Sequence, residues 1–241
     1  MRRSLIGIPL VAAGALALVA VAYAAVTVTF SVTAKPNKAK KPIGLGVSIL
    51  SSDPAAPQPP IMNRIVIKLP AGKYNASKFP RCRLSTLQAK GPSGCPRGSK
   101  IGTGTGVGMA RPVVTDPVNG KLTLFNGTRR GGKDTVLVFV LPDLGPTFVS
   151  VGKVIRTSSG YTLDFSVPPI KTLPSAPDAS VVSVKTKTPI KKITKRRHGK
   201  RTKYYLIIAP RKCKGTWKGS GTFYFATGQK ITVPISQKCR R

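Results

Sequence analysis

Four groups of residues in this chain have side chains that could do chemistry. They are four cysteines, one histidine, six aspartates and a dense block of lysine and arginine. The cysteines are Cys82, Cys95, Cys213 and Cys239. An even number in a chain bound for an oxidising compartment reads as two disulfides. Three pairings are open. The local one, Cys82 with Cys95 and Cys213 with Cys239, is the most economical, and each such loop contributes roughly 3 kcal/mol in the chain-entropy model. A zinc site needs a different pattern. No C-x-x-C occurs and His198 is the sole imidazole, so no metal is expected.

A catalytic site is equally hard to assemble. His198 sits inside Lys195-Arg196-Arg197-His198-Gly199-Lys200-Arg201, where no neighbour could orient it as a base. Glutamate is absent, and the carboxylates are Asp53, Asp116, Asp134, Asp143, Asp164 and Asp178. Paired-carboxylate hydrolysis needs two of them to converge. Asp164 reads as a strand residue and the others as turn residues. A deep pocket holding two or more of Asp116, Asp134, Asp143 and Asp164 would revive an enzymatic reading. Gly102, Gly104, Gly106 and Gly108 suggest a phosphate loop at first sight, but the spacing is G-x-G-x-G-x-G and no helix start follows. A strand with one side-chain-free face, packed closely against another segment, is the better reading. The expectation is a non-enzymatic protein with no cofactor and no identifiable small-molecule substrate.

The basic residues point to partners instead. Lysine and arginine number 41 against 6 acids, a formal net charge of +35. Beyond Asp178 there are 18 of them and no carboxylate. Such a chain cannot neutralise itself internally, and an anionic partner relieves its self-repulsion. The densest block is Lys191, Lys192, Lys195, Arg196, Arg197, Lys200 and Arg201, which joins two strand-like runs and reads as an exposed hairpin tip. The partners this implies are anionic envelope polymers and lipid head groups, with extracellular nucleic acid as a non-specific third. The aromatics alternate like core residues, which weakens any stacking platform for single strands. The competing reading is a structural or adhesive protein whose charge merely solubilises it.

The N-terminus supplies the compartment. Arg2-Arg3 precede an uncharged run over residues 4–34, and Ala22-Tyr23-Ala24 fits a cleavage site before Ala25. Residues 1–24 therefore read as a signal peptide for secretion or delivery to the cell envelope, with an uncleaved anchor as the alternative. Residues 25–60 read as a strand-like start followed by a basic, proline-rich linker, in which Gly46–Leu50 is a short strand.

From residue 61 to 241 the chain is a series of short alternating runs separated by Pro and Gly. Ile65, Ile67 and Leu69 share one face; Tyr161, Leu163, Phe165 and Val167 share another. Val136–Leu141 is continuously apolar, as a strand buried on both faces would be. No stretch shows a capped 3.6-residue period. The pattern predicts an all-β domain, an antiparallel β-sandwich of immunoglobulin-like or jelly-roll-like type, with two packed sub-sheets as a variant. In the last hairpin, pairing Phe225 with Ile231 and Phe223 with Val233 leaves a loop of Thr227-Gly228-Gln229. That register sets Trp217 opposite Cys239, so a Cys213–Cys239 bond needs a bulge or bend, for which Gly219 and Gly221 are candidates. Asn75-Ala76-Ser77 and Asn126-Gly127-Thr128 match the glycosylation sequon, a pattern too short to weigh.

The segment Phe79-Pro80-Arg81-Cys82 … Gly94-Cys95-Pro96-Arg97-Gly98-Ser99-Lys100-Ile101-Gly102-Thr103-Gly104 resembles a pattern in uncharacterised exported proteins of high-GC soil actinobacteria. Leu124-Phe125-Asn126-Gly127 and the terminal Cys213…Phe225…Gly228…Cys239 are similar too. The resemblance covers roughly residues 61–241. It implies export, a β-rich fold and the two local disulfides, and it brings no activity, cofactor or functional residue. The density of Lys and Arg departs from that pattern.

Overall fold

The computed structural model describes residues 26–171, 178–197 and 200–241. The leader over 1–24 with its cut before Ala25, and His198, lie outside them. The alternating runs become fifteen strands among the described residues. They are β1 (Thr27–Lys35), β2 (Gly44–Ser52), β3 (Met62–Pro70), β4 (Lys73–Tyr74), β5 (Lys100–Ala110), β6 (Val114–Arg130), β7 (Lys133–Pro142), β8 (Phe148–Arg156), β9 (Gly160–Ser166), β10 (Ser180–Thr188), β11 (Lys192–Arg197), β12 (Lys200–Tyr205), β13 (Ile207–Ile208), β14 (Thr216–Phe225) and β15 (Lys230–Lys238). One short α-helix, α1 (Leu84–Lys90), and three single 3-10 turns lie between β4 and β5.

Eleven strands form one antiparallel sheet in the order β1-β2-β10-β5-β6-β7-β8-β9-β3-β14-β15. The expected all-β antiparallel fold is what forms. The sheet is continuous and curls into a near-barrel, where a sandwich would have two sheets facing each other. With an odd number of strands alternating in direction, the two edges β1 and β15 meet in parallel. Pro234 sits mid-way along β15 and cannot donate to a ladder. The seam is instead closed by a side chain. The Gln237 amide donates to the Ala34 carbonyl and accepts from the Ala34 N–H, both at 2.8 Å. Beyond the strand ends, Arg240 N donates to Asn37 O at 2.8 Å and Ala39 N to Arg240 O at 2.9 Å.

The segment 25–60, read as a strand-like start and a linker, supplies two strands of the barrel, β1 and β2. β2 is a full nine-residue strand, and it pairs with β1 over its whole length. The glycine-alternating run is β5, packed closely on β10: a Cβ at Gly102 would lie 2.6 Å from the Lys187 carbonyl oxygen, and one at Gly104 would collide with that of Lys185. Val136, Val138 and Val140 of β7 face inward, while Leu137 and Phe139 face outward and are covered by Leu87 of α1 and by Cys82 and Cys95. Leu141, at the end of the run, is exposed. Helix α1 has no sequence signature because its N-cap is Arg83, which makes no side-chain capping bond, and it spans only seven residues.

The last hairpin corrects the expected register. Phe223 pairs with Ile231 and Tyr224 with Lys230, while Phe225 N donates to Gln229 O. The loop is therefore Ala226-Thr227-Gly228, one residue earlier than expected. In a three-residue hairpin loop the left-handed residue is the last of the three, and Gly228, at φ 84°, fills that position. The shift moves both partners evenly, so Phe223, Phe225, Ile231 and Val233 keep their shared inner face. Trp217 consequently faces Gln237, not Cys239, and pairing runs unbroken past Gly219 and Gly221. The bend needed by the second disulfide lies at Gly215 (φ 86°), whose carbonyl accepts from Cys239 N.

Candidate functional site

Both disulfides are local: Cys82–Cys95 with Cα atoms 5.1 Å apart and Cys213–Cys239 with 5.9 Å. They point to an oxidising compartment. No described helix is long and apolar enough to cross a membrane. The first bond staples a segment to the outer face of β6 and β7. Cys82 N donates to Asn126 O, and the Asn126 side chain, fully buried, donates to Ala76 O at 3.0 Å and Pro80 O at 2.9 Å. Two separate sequence motifs, around Cys82 and at Leu124–Gly127, thus meet in space. The Asn126 side chain is consumed as a latch.

The alternation of strand direction defines two ends. At the first lie residues 36–43, 71–99, 131–132, 157–159, 189–197, 200–215 and 239–241. These segments carry 22 Lys and Arg, as three in 36–43, six in 71–99, eleven in 189–197 and 200–215 together, and two in 239–241, with no acid among them. At the second lie 53–61, 111–113, 143–147, 167–171, 178–179 and 226–229. These hold Arg111 and Lys171 against Asp53, Asp143 and Asp178. The sheet has therefore sorted the charge of the chain along its axis.

The basic block projects from the first end as the β11–β12 hairpin, a two-stranded sheet separate from the barrel. Lys192, Lys195, Arg196, Lys200 and Arg201 are exposed and Lys191 is half-buried. The backbone register pairs Arg196 with Arg201 and Arg197 with Lys200. Like charges directly opposite each other destabilise a strand pair. The base of the hairpin compensates: Leu206 is buried, Asn75 Nδ2 donates to Tyr205 O at 2.7 Å, and the Lys78 ammonium lies 5.3 Å from the Tyr204 ring centre.

The aspartates do not converge. Asp164 on β9 accepts a two-pronged hydrogen bond from Arg64, at 2.8 and 2.9 Å, which holds its carboxyl below the usual range. Asp134 pairs with Arg81 at 2.6 Å and Asp178 with Lys171 at 2.8 Å, while Asp116 and Asp143 are exposed. No grouping of His, Cys, Asp or Glu among the described residues could hold a metal.

The barrel interior is a feature that residue-by-residue reading did not single out. Inward-facing side chains leave a lumen of about 310 Å³. Its wall is aliphatic, as Val32, Leu45, Val47, Val138, Val140 and Leu163 show, and these residues are only half-buried because they face that lumen. The first end is plugged. β4 pairs with β13 across it, Ile43 N donates to Ile207 O, and Ala209 and Pro210 are buried behind them. At the second end Leu144 and Val113 are exposed, with Leu144 on the lumen wall. Tyr74 of the plug also lines the lumen, and its hydroxyl is buried with no hydrogen-bond partner. Burial, with Asp134 adding to it, pushes that phenol well above its usual range. Comparison of the chain with protein-family models, with curated proteins and with solved structures returns no match.

Proposed function

We propose that this is an exported, non-enzymatic protein of the cell envelope or its surroundings that holds anionic polymers or lipid head groups through its cationic end. One observation carries the reading: 22 basic residues and no acid occupy the segments at one end, while Asp53, Asp143 and Asp178 lie at the other. Charge that merely solubilised the chain would gain nothing from such sorting, and anions beside β11–β12 would relieve the repulsion between its opposed cations. The tip of the site is Lys191, Lys192, Lys195, Arg196, Arg197, Lys200 and Arg201. Contact of this kind is salt-dependent and indifferent to sequence or sugar order, because it neutralises charge without reading shape.

The test is retention on heparin and on isolated cell wall over a salt series. The expected result is tight binding at low salt that falls steeply and linearly on logarithmic axes. Retention that ignores salt, or no retention at low salt, contradicts the proposal. If a variant with all seven tip cations replaced by Gln localises as the wild type does, the charge is incidental and the structural or adhesive reading takes its place.

A further inference from the structure

We propose that the barrel lumen binds one elongated aliphatic molecule, with a single uncharged polar group, such as a hydroxyl, at its deep end beside Tyr74. Three observations converge. First, strand number sets barrel width. About eight strands can be filled by their own side chains, whereas eleven leave a lumen unless something occupies it. The sequence widens this one further, since β5 and β6 present Gly106, Gly108 and Gly120 to the wall. The lumen of about 310 Å³ falls at the lower end of the range of small-molecule sites. Second, the wall offers few hydrogen-bonding groups, and water is held in a cavity only where it finds polar partners. An aliphatic chain matches such a wall.

Third, the lumen has a direction. It is plugged at the cationic end and flanked by exposed Leu144 and Val113 at the other, so the second end is the way in. The buried Tyr74 hydroxyl beneath the plug has no partner in the protein. A buried donor left unpaired is costly, and a ligand oxygen arriving there removes that cost. Length is also bounded. The lining residues of β10 run from Val181 to Thr188, and a strand rising roughly 3.3 Å per residue at a tilt near 40° gives a lumen about 18 Å long.

The test uses the oxidised full-length protein and a series of 1-alkanols of rising chain length, with the matching n-alkanes as controls. Binding is read by calorimetry and by the emission of Trp217, the sole tryptophan, which lines the lumen. We expect one molecule per chain. Affinity should rise about fourfold per methylene and stop rising once the chain exceeds the lumen. Tyr74→Phe should lower alkanol affinity about tenfold and leave alkane affinity unchanged. Gly120→Leu should abolish binding of long chains: a Cβ there meets Val140 Cγ1 at an ordinary 3.5 Å, so the barrel accommodates it while the leucine fills the lumen. Its melting temperature verifies the fold independently. No binding at any length overturns the proposal. So does affinity that climbs without a length limit, or that ignores Gly120→Leu, since either marks adsorption to the outer surface. If alkanes and alkanols respond alike to Tyr74→Phe, the assignment of the polar group fails.

Discussion

The two ends of the barrel are built on opposite plans. At the second end the strands are joined by connections of ordinary composition around the mouth of the lumen. Ala226-Thr227-Gly228 is a three-residue loop, and the loop charges nearly cancel. The first end carries long excursions, 71–99 and the described residues 189–197 and 200–215, whose cations repel one another with no acid to relieve them. Both disulfides, the Asn126 latch, the β4–β13 plug and the Gln237 clasp lie toward that end. The difference teaches that covalent and buried polar fasteners are placed where the chain most opposes its own compaction. A surface that collects positive charge must be held by something other than ion pairs.

The sharpest way to break the comparison is to remove the charge. Replacing the seven cations of 191–201 by Gln should weaken heparin binding by on the order of 10³-fold at low salt and flatten its salt dependence. Stability should hold or rise by a few tenths of a kcal/mol, because the opposed pair Arg196–Arg201 is relieved. A loss of folding instead would mean that these residues hold structure.

Next come the fasteners. Replacing Cys213 and Cys239 by Ser should lower the unfolding free energy by about 3 kcal/mol, measured as a shift of the denaturant midpoint. If self-repulsion is what the bond opposes, added salt or heparin should recover part of the loss. No recovery would disconnect the staple from the charge. Asn126→Ala strands the Ala76 and Pro80 carbonyls and should cost about 2–3 kcal/mol, again by denaturant midpoint. Gly228→Ala at the uncharged end should cost only about 1 kcal/mol, through its positive φ, and should not respond to salt.

The smallest effect is the Arg64–Asp164 pair on the outer wall. The Arg64 hydrogen bond lowers the Asp164 pKa, so the carboxylate is favoured in the folded state. Its contribution is present at neutral pH and is lost as pH falls through the lowered value. Asp164→Asn should therefore be less stable than the wild type at pH 7, by under about 1 kcal/mol for a surface pair. The gap should close on acidification. A gap that persists at low pH would show packing rather than charge to be the cause.

Much of the wall was legible in the residues. Tyr161, Leu163, Phe165 and Val167 all line the lumen, and Ile65, Ile67 and Leu69 share the inner face of β3. Alternation reports which side of a sheet a residue takes, and it does so locally. Tyr204–Ala209 shows the limit: one apolar run is divided between β12 and β13, which belong to different sheets. The hairpin at 191–201 was legible as an exposed basic element, because cations crowded between two strand-like runs find no interior. The lumen was not legible. The same half-buried valines would serve a packed sandwich, and what distinguishes the two is how many strands join one sheet before it closes.

By itself, then, the sequence determined the all-β antiparallel class, the even set of cysteines, the surplus of positive charge and the inner face of the final hairpin. Each follows from residue type and a period of two. Tertiary structure decided the rest. It set the loop one residue earlier, because the left-handed position must be Gly228. It sent Asp53, Asp143 and Asp178 to one end and the basic excursions to the other, because strand direction fixes where a loop emerges. It made eleven strands one curled sheet with an aliphatic lumen, because strand count and shear set the radius of a barrel, and no local pattern encodes either.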